Sequence, residues 1–356
     1  MRITVLYSRL TGYVAACLKA LAENEDDIHL QVFRWPASEN APFDPATFDW
    51  IDELSVKDEQ SAQDLKSAVR SFSPDAILMS GWIDKEYVSV ARAFESPNVP
   101  VVAGCDTQYT GGLRQQAAQL VAPWYLHPSI DILWVSGERQ RQLAATLGYT
   151  GNDCWSGYYA CDWSHFAPIH DRPYPDDPVF LFVGRYVEEK GVDVLMEAYR
   201  QYRRAVADPW PLIAAGAGPL EEALEDTTGV DNRGFVQPDV LPELMDSAAA
   251  FVLPSRFEPW GVVVQEAAAA GLPVLCSTAS GAGVHLVRDG YNGFQVESGS
   301  VSHLAGAMRR MSDLSREERQ RMEDRGHELS KQYTPGRWAE TFVEGVKRHK
   351  RQMTSP

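Results

Sequence analysis

Strand-like and helix-like stretches alternate along this chain in two successive series, and that alternation leaves few folds open. In the first half, residues 3–8, 28–33, 75–80, 99–104, 132–136 and 153–158 form short apolar runs that read as strands. Residues 13–22, 60–71, 85–94, 113–121 and 138–147 read as the helices between them, with a Pro- and Asp-rich connection before residue 60. Strands joined through helices pair in parallel and build a sheet covered on both faces. Residues 162–178 then hold Asp, Pro and His with little periodicity and read as an interdomain linker. The alternation restarts with a strand at 179–183, a helix from Val192, a strand at 212–215, a short strand and turn at 232–236 and a helix at 240–248. It closes with helices near 301–311, 317–332 and 337–349. At 356 residues the chain exceeds the usual single domain. The expected division is 1–170, 171–334 and a closing helix segment, 335–356.

The stretch richest in chemistry lies at 249–273. Residues 249–254 read as a buried strand and 261–270 as a helix, with Gly271 placed to end it and Pro273 forbidding its continuation. A helix that starts near Gly261 offers backbone N–H groups and a positive dipole end, and a residue without a side chain lets an anion come close. Glu266 falls about five residues in, roughly 7 Å along the axis. That offset suits a group holding a nucleotide's sugar while the helix tip holds its phosphates. Its neighbours Val262, Val263, Val264 and Ala267 to Ala270 are apolar, so the helix is expected to be buried, where a carboxylate is costly without partners. A second loop, 184–191, sets Arg185 and Lys190 five residues apart at a strand end, where open α/β sheets bind ligands. Arg185 can fork two oxygens and Lys190 acts as a point charge, an arrangement suited to a departing diphosphate.

Glu258 and Glu266 form an E-x7-E pair, preceded by Pro254-Ser255-Arg256 and followed by Glu-Ala-x-Ala-x-Gly-x-Pro-Val. This string resembles the retaining glycosyltransferases of family 4, which have the GT-B fold. The loop Gly184-Arg185 to Glu189-Lys190-Gly191 and the turn Gly216-Ala217-Gly218-Pro219 resemble the same family. The resemblance is specific over 179–345 and covers 2–160 only in general layout. It implies an α/β architecture of two Rossmann-like domains facing across a cleft, with the C-terminal helix crossing back to the first domain on Trp338 and Phe342, spaced i,i+4. It implies a metal-independent hexosyltransferase that needs no cofactor, taking a nucleotide-diphosphate sugar as donor and a glycan, lipid-linked or small-molecule acceptor, with attack on the same face of the sugar.

Residue by residue, the resemblance assigns the diphosphate to Arg185, Lys190 and the helix tip at Gly261, the ribose hydroxyls to Glu266, and hydroxyls of the transferred sugar to Glu258. The backbone of Gly234, Phe235 and Val236 would meet the base, and Pro259, Trp260 and Val262 complete the donor set. Asp106 would face the acceptor, at a place where some relatives carry a His. Gly12 marks the loop after the first strand, where many relatives have a richer glycine motif; here it would cap the following helix. His285 stands where many relatives have Glu, and no role is carried over to it. Other readings stay open at single positions: Gly12 as a turn glycine, Asp106 as a helix cap, Phe235 as core packing.

Three rival functions are weighed. A GT-B nucleotide-sugar epimerase fits the fold but is opposed by the E-x7-E context. A nucleotide-sugar-binding module without turnover is opposed by the presence of both acids and both cations. A dehydrogenase is opposed because Glu221 occupies the third glycine place of the dinucleotide fingerprint. The net charge of −16 argues against nucleic acid as a partner. Lys347, Arg348, Lys350 and Arg351 cluster near the C-terminus, which fits a helix end and leaves membrane contact as a weaker reading. Five cysteines without a C-x-x-C pair fit reduced thiols and a cytoplasmic place, and no His arrangement suits zinc. The first residues read as a strand too short for a signal-peptide core, and no apolar run is long enough to span a bilayer. Asp26-Asp27 and Asp176-Asp177 read as loops rather than metal motifs.

Overall fold

The computed structural model of the protein describes residues 1–24, 27–36, 48–57, 61–94 and 99–354. Asp26 and Gln60 lie outside the described residues. The chain divides into two compact units, Met1–Ala160 with Thr334–Pro356, and Cys161–Tyr333.

The first unit is built on seven parallel strands: β1 (Arg2–Tyr7), β2 (His29–Arg34), β3 (Glu53–Val56), β4 (Ala76–Met79), β5 (Val101–Cys105), β6 (Ile132–Val135) and β7 (Cys154–Ser156), in the order 3-2-1-4-5-6-7. The helices between them are α1 (Gly12–Ala22), α2 (Ala62–Phe72), α3 (Lys85–Arg92), α4 (Leu113–Tyr125) and α5 (Glu138–Thr146). The run Ala76–Met79 is buried throughout, as expected of a strand covered on both faces. Strand β3 falls inside the connection read as irregular. It is an edge strand with no fully buried residue, so its sequence carries no apolar run.

The second unit opens with the stretch read as a linker. There α6 (Trp163–Phe166) and a 3₁₀ turn, Ala167–Asp171, are folded onto the unit's own surface. Trp163 Nε1 donates to Ser330 Oγ at 2.8 Å, His170 Nε2 lies 3.1 Å from Asp324 Oδ1, and Phe166 and Ile169 are buried. The Asp, Pro and His around them mask these apolar anchors in the sequence. Six parallel strands follow: β8 (Phe180–Val183), β9 (Leu212–Ala215), β10 (Val230–Asn232), β11 (Ala250–Leu253), β12 (Val274–Ser277) and β13 (Gly293–Val296), ordered 10-9-8-11-12-13. The helices are α7 (Val192–Ala205), α8 (Glu221–Glu225), α9 (Leu241–Ser247), α10 (Val262–Ala269), α11 (Gly281–Leu286), α12 (Val301–Asp313) and α13 (Arg316–Ser330). The glycine-rich stretch after β12 contains α11. Ser280 starts it, its Oγ accepting from the Gly283 N–H at 3.2 Å.

The last helix, Pro335–Thr354, returns to the first unit and packs along α1. Trp338 stacks on Trp134 with ring centroids 4.7 Å apart, and its Nε1 donates to Tyr158 O at 2.7 Å. Phe342 is fully buried one turn further on. Both anchors therefore act as their spacing implies. Lys350 of the basic cluster pairs with Asp75 at 3.3 Å. Each sheet reverses its strand order once, between β1 and β4 and between β8 and β11. Ligands of such sheets bind beyond the carboxyl ends of the strands at these reversals. No described helix is long and apolar enough to cross a membrane.

Candidate active site

Strand β8 runs into loop 184–191 and β11 into loop 254–261. These strands are neighbours at the reversal, so both loops leave the same end of the sheet side by side. They touch backbone to backbone. Gly191 has φ +69°, and a Cβ there would stand 2.3 Å from Pro254 O. Arg256 stitches the loops together: its N–H donates to Glu189 O at 2.8 Å, Nη2 to Asp193 Oδ2 at 2.6 Å and Nη1 to Glu188 O at 3.0 Å. This arginine precedes the E-x7-E pair but had no role in the sequence reading; its partner, Asp193, is distant in sequence and gave no signal.

The stitching brings Lys190 to Glu258. Lys190 Nζ donates to Glu258 Oε2, and the two side chains are 18% and 8% exposed. Ser255 Oγ lies 3.4 Å from the same oxygen. Gly261, the N-cap of α10, has φ +93°, and a Cβ on it would come 3.0 Å from Glu258 Cγ. The helix tip thus adjoins the Lys190–Glu258 pair, and only glycine takes that backbone shape without strain. Glu266 lies further along α10 and keeps a little exposure. Burial, reinforced by the negative charge of Asp162, pushes its carboxyl up to about 7.

Arg185 is arranged differently. Its side chain is 68% exposed and meets Glu189 Oε2 at 3.4 Å, outside the Lys190–Glu258 contact. Gly234 follows β10 with φ +63° and open space where a side chain would stand; its carbonyl accepts from Gly216 N–H at 2.8 Å. Phe235, for which core packing was one reading, is 55% exposed, because the chain turns outward past β10. Val236 is half-buried. Trp260 faces inward, 2% exposed between the rings of His285 and Tyr333, so any contact it makes with a ligand is through its backbone. Val262 begins α10.

Behind this loop lies a clamp that sequence reasoning passed over. Gly281 N–H donates to Glu258 O at 3.0 Å and Ala282 N–H to Trp260 O at 2.8 Å. Ser277 Oγ donates to Ser255 O. A Cβ on Gly281 would sit 2.2 Å from Pro259 O. Gly281→Ala is accordingly expected to push the loop forward, costing about 1–3 kcal/mol by overpacking. A thermal melt would show the loss of stability, and nucleotide titration a weaker complex; an unchanged melt would mean the loop is not held from behind.

In the first unit, Asp106 is exposed after β5 and accepts from Tyr159 Oη at 3.0 Å, while its backbone carbonyl accepts from Gln140 Nε2 at 3.0 Å. The next helix, α4, is capped by Gly112, so Asp106 is not a helix cap. The Tyr13 ring meets Tyr159 edge-on at 5.4 Å. Gly12 is the first residue of α1 and Thr11 takes the N-cap place, which corrects the expectation that Gly12 caps the helix. Among the described residues no three His, Cys, Asp or Glu side chains are grouped to hold a metal ion.

Residues 169–329 match the family model of glycosyl transferases group 1. The match takes in most of the second unit, which is therefore similar to this family. Among curated relatives, a glycogen synthase of Mycobacterium tuberculosis is 27% identical over 259 residues, 68% of this chain and 61% of that protein. A sulfoquinovosyl transferase of Arabidopsis thaliana is 31% identical over 267 residues, 68% of this chain and 51% of that one. The chain thus spans 61% and 51% of the length of these two relatives. Among solved structures, Anabaena HepE in complex with UDP and glucose superposes with a TM-score of 0.75 at 18% identity, covering 98% of this chain and all of that one. The galactosyltransferase WaaB, in its apo form, gives 0.71 at 16% identity, over 98% and 99%. These likenesses, with the two parallel sheets and the returning helix, establish the GT-B fold.

Proposed function

We propose that the protein is a retaining glycosyltransferase that binds a nucleoside-diphosphate sugar on its second unit. The observation that carries this reading is the Lys190–Glu258 pair held against the glycine tip of α10 at the strand reversal. As the sugar–oxygen bond breaks, negative charge grows on the diphosphate while the sugar acquires oxocarbenium character. Lys190 and the α10 N–H groups supply fixed positive charge to the first, with no reorganisation needed at the moment of reaction. Glu258 aims Lys190 and receives hydroxyls of the transferred sugar. Glu266 accepts from the ribose, the turn at Gly234–Val236 meets the base edge, and Arg185 swings in from solvent to fork the outer phosphate. Asp106, oriented by Tyr159, and the α1 start at Gly12 serve the acceptor. The five cysteines, all buried, fit a reducing cytoplasm.

The test is a thermal-shift screen with UDP, GDP, ADP and dTDP, followed by the matching sugars, UDP-glucose first because Anabaena HepE was solved in complex with it. One nucleotide is expected to raise the melting temperature at saturating concentration, reflecting about 2.7 kcal/mol at a hundred times Kd. Sugar release in the presence of acceptor, with the anomeric configuration kept, completes the reading. No shift with any nucleotide sinks it, and a shift without transfer to any acceptor reduces the protein to a binding module.

A further inference from the structure

Two histidines meet face to face at the carboxyl end of α10, the end away from the Lys190–Glu258 pair. His170, on the 3₁₀ turn Ala167–Asp171, and His327, on α13, stack with ring centroids 4.2 Å apart and planes 19° from parallel. Each ring is held by a hydrogen bond of its own. His327 Nδ1 lies 2.7 Å from Ala269 O, and a carbonyl only accepts, so that nitrogen carries a hydrogen. His170 Nε2 donates in the same way to Asp324 Oδ1 at 3.1 Å. Neither ring has room to slide. Gly271, just past α10, has φ +80°, and a Cβ on it would stand 2.7 Å from His170 Cδ2. The Trp163 ring lies 5.3 Å from His327, and Ser330 Oγ, which accepts from Trp163 Nε1, donates to His327 O at 2.6 Å. The stack therefore pins residues 163–171 to the carboxyl ends of α10 and α13.

The charges around the pair are lopsided. His170 faces carboxylates: Asp324 of α13 at 3.1 Å, Asp171 of its own turn at 3.7 Å, and the buried Glu323 of α13, which also faces Arg172 and Arg319. A positive charge on His170 is met by these acids. His327 faces the Ala269 carbonyl from α10, the indole of Trp163 from α6, and the cation Lys331 one turn along its own helix. The acids within its reach, Asp171 and Glu328, are exposed to solvent, which weakens their pull. Burial above all, with His170 and Lys331, depresses the His327 imidazole below its ordinary 6.5, in spite of the Ala269 carbonyl. The unfolded chain therefore takes this proton more readily than the native one. The contribution of His327 to stability is intact above 6.5 and is lost as pH falls below it. Two charged rings at 4.2 Å repel each other, with no group between them.

We infer that the stacked His170–His327 pair is an acid-released clasp, closed while at most one ring is charged and opened when both are, so that residues 163–171 let go of α10 and α13. Opening reaches the site because Asp162 begins the same segment and its charge acts on Glu266 of α10. That consequence rests on the donor site proposed above; the release itself does not, and its test needs no donor. Hydrogen exchange is read by mass spectrometry at about pH 7.5 and about pH 5.5, corrected for the intrinsic change in rate, in wild type, His327→Gln and His170→Gln. In wild type the amides of 163–171, among them His165 N–H on Asp162 O and Ala167 N–H on Trp163 O, are expected to lose protection at least about tenfold at the lower pH, while β8 keeps its own. The glutamines can still donate to Ala269 O and to Asp324, yet neither takes a charge. Each variant is therefore expected to hold the neutral-pH protection of wild type at both pH values. The inference is overturned if wild type loses no protection, if either folded variant loses as much as wild type, or if β8 loses protection in step, which would make the event acid unfolding of the whole unit.

Discussion

Glu266→Gln is expected to make the free protein more stable at neutral and alkaline pH while stripping it of donor affinity. The sign follows from linkage. In the folded protein the Glu266 carboxyl is pushed up to about 7 by burial and by Asp162, against an ordinary 4.5. The native state therefore holds its proton more tightly than the unfolded chain does. Native stability is unaffected by this group below about pH 4.5, declines as pH rises from there, and has lost the full amount above about pH 7. The difference amounts to about 3 kcal/mol once the carboxylate is formed. Gln cannot ionise and escapes that loss. Denaturant unfolding of the two proteins should give nearly equal stability near about pH 4, a gap that opens through the titration range, and a plateau of that size near about pH 8. A gap that does not change with pH would show that the carboxyl is not held in its neutral form.

The same variant separates stability from function. A carboxylate accepting hydroxyl hydrogen bonds contributes about 1.5–3 kcal/mol, so its replacement by an amide is expected to weaken donor binding by about tenfold to a hundredfold. In wild type, binding should release a proton near neutral pH, because donor hydroxyls favour the charged form, and affinity should fall as pH drops below about 7. Calorimetry in buffers of different ionisation enthalpy reads that proton directly. Equal affinity in Glu266→Gln and wild type would take Glu266 out of the donor site.

Glu266 also shows what the sequence can carry. Its apolar neighbours Val262 to Val264 and Ala267 to Ala270 make a buried α10 legible, and the costly carboxylate within it stands out as a candidate for a functional group. The sheets were legible for a related reason: strands buried on both faces, such as Ala76–Met79 and Ala250–Leu253, leave unbroken apolar runs. Elements buried on one side only were not. β3 sits at an edge with half-exposed residues, and α11 opens on Gly281-Ala282-Gly283, a composition that says loop. The contacts that hold the site together were illegible for a different reason. Arg256 reaches Asp193 and Gly281 backs Pro259 through the tertiary fold, and neither spacing nor residue type announces the pairing. The E-x7-E spacing places two acids near one another, but it does not show that Glu258 is paired with Lys190 while Glu266 is left to burial.

That pairing fixes what should happen when Lys190 is removed. Lys190→Ala is expected to lower kcat by about a hundredfold to a thousandfold, the usual effect of deleting one positively charged or hydrogen-bonding group aimed at charge that develops in the transition state. The single variant carries a second consequence, since it takes the cation away from a carboxylate that is 8% exposed. A broken buried pair costs about 3 kcal/mol or more, so Lys190→Ala should also melt earlier, and activity alone would not tell a lost catalytic group from a loosened loop. The double variant Lys190→Ala/Glu258→Gln resolves the two. With the carboxylate neutralised, the charge that lost Lys190 is gone and the melting temperature should return most of the way to wild type, whereas turnover should stay low because neither the positive charge at the α10 tip nor the carboxylate that receives the sugar is replaced. Recovery of turnover along with stability would mean that the pair merely braces the loop, and the departing diphosphate would then have to be met by Arg185 and the helix tip without Lys190.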